Sequence, residues 1–156
     1  MYRTITATFV LGLLALSISP ICQALEITDC GSKVGKYTSV TLAGCDMTKP
    51  VCDLVRNTNA SIHIEFTPDK DVKEVHAVVR GIIMDIPMPF PLSNADACKY
   101  SDSGIICPLA KDQSYHYMNT LPVLKSYPTL SVTVRWELRD ENNEDIVCIL
   151  IPAKIK

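Results

Sequence analysis

Cysteines are the residues of this sequence whose type and spacing have the clearest chemical consequence. Beyond the apolar N-terminal stretch, six of them lie at Cys30, Cys45, Cys52, Cys98, Cys107 and Cys148. Their closer spacings exceed the roughly two to four residues between the ligands of a zinc knuckle. An even number of cysteines in a short secreted chain favours disulfides, which persist only in an oxidising compartment. We therefore predict disulfides and no metal site.

Sequence alone permits about fifteen pairings of these cysteines. Local closure favours two short loops and leaves one long one, so the predicted pairs are Cys45–Cys52, Cys98–Cys107 and Cys30–Cys148. The long loop spans nearly the whole domain, and chain entropy assigns its closure roughly 4–5 kcal/mol of stabilisation. That support would allow a small domain to keep a central void, since cavities cost stability.

Histidines and serine are the other candidates for chemistry. His63, His76 and His116 alternate with apolar neighbours, at positions predicted to face solvent. Ser114 and His116 share one face of a predicted strand, but no orienting carboxylate or oxyanion-hole motif accompanies them in the sequence. No HExxH motif or glycine-rich phosphate loop is present. We predict no catalytic residue, no enzyme activity and no cofactor.

The N-terminus has the features of a secretory leader. Arg3 supplies a positive charge and residues 9–18 form an apolar run. The run is shorter than the ~20 apolar residues that span a bilayer, and residues 22–24 present small side chains at the positions that signal peptidase reads. We predict a signal peptide at residues 1–24 and one secreted domain at residues 25–156.

The predicted surface is mildly acidic. The net charge is -2, and removal of Arg3 with the leader makes it -3 (-2 - 1). Nothing here is basic enough to follow a phosphate backbone, so nucleic acid is excluded as a partner. Asn59-Ala60-Ser61 is a sequon, which predicts N-glycosylation at Asn59.

Short segments of alternating polarity predict the fold. Between Leu130 and Leu138 the even positions are apolar and the odd positions, including Glu137, are polar. Such alternation directs one set inward and the other toward solvent. Similar alternation is present at residues 62–66 and 75–79. Less regular runs that also predict strands lie at residues 34–42, 82–86, 114–121 and 146–151. About seven short strands without a long amphipathic helix indicate an all-β, immunoglobulin-like antiparallel β-sandwich.

Two proline-containing segments differ from these strands. In residues 86–92 every second residue is proline, which predicts an edge strand or an extended crossover, because proline cannot donate to a sheet. Met88 and Phe90 between the prolines are large and apolar, and residues 121–123 and 127–128 are of the same kind. Such segments either form the rim of a cavity or close the end of a core, and the pattern alone leaves both open.

A series of short motifs runs from about residue 29 to 155. They are Asp29-Cys30-Gly31-Ser32, Pro87-Met88-Pro89-Phe90-Pro91, Cys98-Lys99, Cys107-Pro108, Lys111-Asp112-Gln113-Ser114-Tyr115, Leu121-Pro122-Val123, Tyr127-Pro128, Trp136-Glu137-Leu138 and Ile151-Pro152. In type and order these motifs resemble the Niemann-Pick type C2 proteins of the ML lipid-recognition family, most of all the arthropod members.

The resemblance implies an apolar tunnel between the two sheets and the same three disulfides. It implies that sterol binds there with its hydroxyl near a mouth formed by Phe90, Val123 and Tyr127. The residues implied to line or back the tunnel are Ile62, Ile64, Val79, Met88, Tyr117, Leu130, Val132, Val134, Trp136, Ile149 and Ile151. The family commonly has glycine where this chain has Asp85, and we expect a β-bulge there because one residue is extra in the inward pattern.

The expected function is therefore sterol binding and transfer. The implied partners are sterol, a membrane touched transiently and a membrane transporter like the Niemann-Pick type C1 protein. The implied setting is the lysosomal lumen or extracellular fluid, and the protein is expected to be a monomer. Two alternatives from the same family are a carrier of fatty acids or semiochemicals and a lipid-recognition protein of innate immunity.

Overall fold

Alternating apolar residues form nine β-strands in the computed structural model, which describes residues 23–156. The predicted signal peptide lies outside this range except for its last two positions. The strands are β1 (Thr28–Asp29), β2 (Gly35–Ala43), β3 (Cys52–Leu54), β4 (Thr58–Pro68), β5 (His76–Ile83), β6 (Ile86–Phe90), β7 (Tyr115–Val123), β8 (Ser131–Arg139) and β9 (Asp145–Ile155). A 3₁₀ turn spans Ser101–Ser103. Among the described residues no helix is long and apolar enough to cross a bilayer.

Two sheets pack face to face. The larger has the order β1-β9-β8-β5-β6, with β3 also beside β9, and the smaller has the order β2-β4-β7. This confirms the predicted all-β sandwich, since seven of the strands are long. The two short strands, β1 and β3, share the outer edge of β9, where they cover backbone groups that an edge would expose. β3 runs parallel to β9, which is the one departure from the predicted antiparallel pairing.

The predicted alternation is confirmed on the strands that face the core. On β4, Ile62, Ile64 and Phe66 are 3 %, 1 % and 0 % exposed. On β8, Trp136 and Leu138 are 3 % and 0 % exposed. The predicted strands at 34–42, 114–121 and 146–151 correspond to β2, β7 and β9.

Glu137 does not face solvent as its odd position predicted, because it is 0 % exposed. It lies on the outer face of the larger sheet beneath three guanidinium groups. Arg135 Nη2 lies 2.8 Å and Arg139 Nη2 2.9 Å from Glu137 Oε1, and Arg80 pairs with Oε2. A carboxylate removed from water needs such partners, and here long side chains from two neighbouring strands supply them.

The prediction of a strand at 82–86 with a bulge at Asp85 is wrong. Met84 and Asp85 have φ values of 49° and 64°, and they connect the paired residues Ile83 and Ile86. Positive φ at both central residues is the requirement of a type I′ turn, whose twist matches that of the strands it joins. The residue that was extra in the inward pattern belongs to this hairpin turn.

The prediction of an edge strand in the proline-rich segment is confirmed, since β6 ends the larger sheet. Pro87 lies opposite Ile82, and Pro89 lies opposite Arg80. Counted from the two-residue turn, both are positions that exchange no hydrogen bond with the neighbouring strand. The two prolines therefore remove no hydrogen bond between β5 and β6.

Three disulfides join the predicted pairs: Cys30–Cys148, Cys45–Cys52 and Cys98–Cys107. The first connects the end of β1 to β9 across 118 residues of sequence. The second holds β3 close to the end of β2.

A buried acid organises the turn between β8 and β9. Asp140 is 1 % exposed, and its Oδ1 accepts backbone hydrogen bonds of 2.9 Å from Asn142 and Glu144. Lys70 Nζ lies 2.7 Å from Asp140 Oδ2. Burial opposes ionisation, but Lys70 and the two amides outweigh it and hold the pKa of Asp140 below its usual value.

The hairpin turn gives a first prediction. Asp85→Gly should raise the free energy of unfolding by up to ~1 kcal/mol, and Asp85→Val should lower it by ~1–2 kcal/mol, because only glycine adopts positive φ without cost. Urea titrations would measure both changes. Asp69→Val is the control, since Asp69 is exposed and its φ is not positive. Equal effects of valine at positions 69 and 85 would contradict the turn assignment.

The Lys70–Asp140 pair gives a second prediction. Lys70→Met should lower the free energy of unfolding near neutral pH by ~1–3 kcal/mol, because it removes the cation beside a buried carboxylate. A lowered pKa contributes stability above the unfolded-state value and loses it as pH falls through the folded-state value. The deficit should therefore shrink below about pH 4. Urea unfolding across pH measures it, with exposed Lys73→Met as control; a deficit independent of pH would refute the assignment.

Candidate functional site

An apolar cavity of about 260 Å³ lies between the two sheets. Every strand except β1 contributes to its wall, and nearly all of the contributing side chains are aliphatic, aromatic or disulfide-bonded. This volume falls just below the roughly 300–1,000 Å³ typical of ligand pockets. A bulky guest therefore requires some wall side chains to move apart.

The structure brings together eleven of the fourteen residues predicted to bind ligand. Those that line the cavity are Ile62, Val79, Met88, Phe90, Val123, Tyr127, Leu130, Val132, Val134, Trp136 and Ile151. Ile64, Tyr117 and Ile149 do not line it, and they are 1 %, 0 % and 0 % exposed within the core. They lie on the expected faces of their strands, but nearer the closed end of the sandwich than the cavity reaches.

The three residues predicted to form the mouth all line the cavity, and they come from the edge strand β6, the end of β7 and the loop after β7. The rings of Phe90 and Tyr127 meet edge to face, with centroids 6.2 Å apart. Val123 ends β7 beside them, and Arg56 holds the following loop through a 3.4 Å hydrogen bond from Nη1 to the Tyr127 carbonyl. Aromatic contacts of this geometry stabilise modestly and can be broken and remade.

Five exposed apolar side chains either line the cavity or adjoin a residue that lines it. We call them the apolar rim: Val55, Met84, Ile86, Met88 and Leu124, whose exposed fractions run from 45 % to 91 %. Met88 itself lines the cavity, and each of the others adjoins or pairs with a lining residue. Large apolar side chains exposed together indicate a contact surface.

Several lining residues were not predicted from the sequence. Leu42, Ile83 and Leu121 follow the same alternation as the predicted set and could have been found from it. Leu54 lies on a strand of three residues, too short to show a period. The Cys45–Cys52 disulfide was predicted only as a cross-link, whereas both of its cysteines also form part of the cavity wall.

Polar groups lie at the inner end of the cavity. Asn119 Nδ2 donates a 2.9 Å hydrogen bond to the Tyr117 hydroxyl. Burial raises the pKa of Tyr117 to about 12, so the hydroxyl stays protonated. Asn119 Oδ1 is buried without a hydrogen-bond partner among the described residues.

The groups that could support other chemistry lie away from the cavity wall. His116 Nδ1 lies 3.3 Å from Glu65 Oε1 on the outer face of the smaller sheet, and exposed Ser114 makes no hydrogen bond to it. Glu137, Asp145 and Cys148 are close enough to hold a metal ion, but Cys148 is in a disulfide and Glu137 is paired with arginines. The first group therefore lacks contact between serine and histidine, and in the second the cysteine sulfur and one carboxylate are already engaged.

Comparison with known proteins gives a consistent result. The family model described as ML domain matches residues 24–155. A protein of Drosophila melanogaster named NPC intracellular cholesterol transporter 2 homolog a is 55 % identical over 133 residues, covering 85 % of this chain and 88 % of the relative. NPC intracellular cholesterol transporter 2 of Bos taurus is 41 % identical and covers 99 % of each chain. These relatives are named as transporters, in agreement with the prediction that the chain is not an enzyme.

Among solved structures, a Niemann-Pick type C2 protein from the Japanese carpenter ant superposes with a TM-score of 0.82. It is 42 % identical, and the match covers 85 % of this chain and 100 % of the ant chain. The cavity, the three disulfides and the matching residues lead to one assignment: the chain belongs to the ML domain family, within the group of its Niemann-Pick type C2 proteins.

Proposed function

We propose that the protein is a sterol carrier that holds its guest between the two sheets and releases it to a membrane or a membrane transporter. The observation that supports this most directly is the apolar cavity between the two sheets, whose wall includes the contacting rings of Phe90 and Tyr127. The fly and cattle relatives are named for cholesterol transport, and the family-model match over residues 24–155 includes the cavity wall.

Desolvation supplies the binding energy in this proposal. A sterol of about 28 heavy atoms, at roughly -0.3 kcal/mol per atom, reaches about -8 kcal/mol. That corresponds to a dissociation constant near the micromolar range. Such binding keeps an insoluble molecule in solution and still allows its release.

Transfer in this proposal takes place through the apolar rim. Met84, Ile86 and Met88 lie on the hairpin that borders the mouth, so a membrane contacting them would face the opening. A guest could then leave the cavity without crossing bulk water. A transporter resembling the Niemann-Pick type C1 protein could present an apolar surface to the same rim.

A fatty acid or similar acyl chain is the second candidate guest. The observation that favours it is the modest cavity of about 260 Å³, which a narrow chain enters with less displacement of the wall than a ring system requires.

We further propose that the mature chain begins after Ala24, is secreted or delivered to the lysosomal lumen, and carries a glycan on Asn59. Asn59 is exposed on β4, where a glycan has room. Intact mass of protein secreted by insect cells should match cleavage after residue 24 plus a glycan that Asn59→Gln removes. An unmodified mass that the substitution leaves unchanged would reject the glycosylation.

Sterol binding is tested directly by fluorescence. The purified protein should bind a fluorescent sterol with a dissociation constant near the micromolar range, and unlabelled sterol should displace it. The alternative guest is tested in the same assay with a saturated fatty acid. No binding of sterol up to its solubility limit would reject the proposal.

The role of the mouth is tested with a matched pair of phenylalanines. Phe90→Ala should weaken sterol binding about tenfold with under ~1.5 kcal/mol lost in stability, because the ring is half-buried at the rim. Phe66→Ala, at a site 0 % exposed and outside the cavity, should cost ~3–5 kcal/mol in stability and leave the affinity of the folded protein nearly unchanged. Equal loss of stability in the two variants would show that Phe90 is a core residue.

A further inference from the structure

We infer that the outer face of the larger sheet carries a binding site for a phosphate or sulfate ester, with Arg80 and Arg135 as the residues that bind the oxyanion. The site lies on the opposite face of the sheet from the cavity, and it does not depend on the proposed function. Arg80 contributes to the cavity wall, but its guanidinium group lies on the outer face beside Glu137.

Strand pairing brings the two arginines together. Arg80 on β5 and Arg135 on β8 are directly opposite each other in the antiparallel ladder. The Cβ atoms of residues paired in this way are about 5 Å apart on one face of the sheet, and like charges there repel each other. An oxyanion bound between the two guanidinium groups removes this repulsion.

The carboxylates of the protein neutralise this cluster incompletely. Arg80, Arg135 and Arg139 share the single carboxylate of Glu137. Of the three arginines, only Arg139 has a second ion pair within the described part of the chain, with Asp145. Three guanidinium groups thus face two carboxylates, and the surplus positive charge lies at Arg80 and Arg135.

Both arginines have N–H groups left for a ligand. Within residues 23–156, Arg80 contacts a carboxylate only through Nη1 and Arg135 only through Nη2. Their side chains are 30 % and 33 % exposed, so a ligand can reach them. Arg135 Nε is buried without a hydrogen-bond partner among the same residues, so the protein itself does not satisfy this guanidinium group. Guanidinium groups bind phosphate through pairs of parallel hydrogen bonds, and this pair offers donors from two sides.

A hollow beside the arginines accommodates the body of the ester. Its volume is about 290 Å³, close to the lower end of the range for ligand pockets. Ile82 and Thr133 line it, and they lie two residues from Arg80 and Arg135 on the same strands and the same face. Pro152, opposite Thr133 on β9, extends the apolar wall.

The polar groups of the hollow suit an ester whose body carries hydroxyl or amine groups. The hydroxyls of Ser131 and Thr133 make no hydrogen bond within the described residues, so they are available to a ligand. Asp85, the acidic residue that lines the hollow, lies on the hairpin turn beyond Ile83, which is three residue pairs from Arg80. That separation is about 10 Å of strand, so the carboxylate is far from the bound oxyanion.

Isothermal titration calorimetry with phenyl phosphate at constant ionic strength tests the site. The wild-type protein should bind phenyl phosphate saturably and inorganic phosphate more weakly, because only the ester has an apolar body for the hollow. Arg135→Gln and Arg80→Gln should each weaken binding about tenfold, since each removes charge-assisted hydrogen bonds. Arg135→Lys keeps a cation beside buried Glu137 and is expected to fold if the glutamine variant does not. It should still lose affinity, because lysine lacks the planar pair of donors.

Arg139→Gln is the matched control. It removes the same charge from beside the same carboxylate, but the paired nitrogens of Arg139 are already engaged by Glu137 and Asp145. It should lower stability and leave the affinity for phenyl phosphate within about twofold, because the remaining effect of its charge is screened. Three results would overturn the inference: no saturable binding by the wild-type protein at millimolar ligand, equal affinity for inorganic phosphate, or equal losses in Arg139→Gln and Arg135→Gln.

Vesicles distinguish a soluble ester from a lipid head group. Phosphatidylcholine vesicles with and without phosphatidic acid differ in a phosphate monoester presented on a membrane. Co-sedimentation that requires phosphatidic acid and is lost in Arg135→Gln would assign the phosphate to a lipid. Binding of phenyl phosphate that depends on Arg135, without such co-sedimentation, would assign it to a soluble ester. Sterol binding is measured separately, so failure of this site and failure of the proposed function are distinguishable.

Discussion

The structure depends on keeping two apolar sheet faces apart over one half of the sandwich. Where the two faces do not touch, their side chains lose dispersion contacts and part of the free energy of burial. The half that contains the cavity therefore cannot be stable by itself. The other half supplies the compensation through a dense core around Phe66, Tyr117 and Leu138, each 0 % exposed. The Cys30–Cys148 disulfide joins the neighbouring strands β1 and β9 and closes a loop of 118 residues, which reduces the entropy of the unfolded chain. The stability of the packed half therefore offsets the cost of the cavity in the other half.

The outer face of the larger sheet contributes in a different way. Buried Glu137 and its three arginine partners connect β5 to β8, the strands that carry much of the cavity wall. An isolated surface ion pair would contribute little, but a shared and fully covered carboxylate constrains several side chains at once. This network holds β5 and β8 in register. Because its side chains are on the outer face of the sheet, they do not reduce the volume of the cavity.

The cavity wall in the larger sheet is not uniform in construction. β6 is a strand with only one neighbour, and its prolines leave its outer edge without the full set of donors that a further strand would need. Trp136, in contrast, lies on a strand paired on both sides and rests on a packed layer. Widening of the cavity for a guest is therefore expected at β6, while the centre of the larger sheet stays fixed.

Much of this architecture was predictable from the sequence because its causes are local. Period-two alternation identified the core strands, cysteine spacing identified the disulfides, and the proline-rich segment identified an edge. The positive φ values at Met84 and Asp85 were not predictable from alternation, since a turn residue and a bulge residue both shift the pattern by one.

What only the tertiary structure decided is what each inward side chain meets. Ile62 and Ile64 have the same type, strand and face, yet the first borders the cavity and the second is packed core. Glu137 likewise lies on the polar face predicted for it but is covered by arginines from two strands. The sequence by itself determined which face each side chain takes, because that follows from backbone geometry. The position of the void depended on the separation of the two sheets and on the side chains opposite, which no single strand encodes.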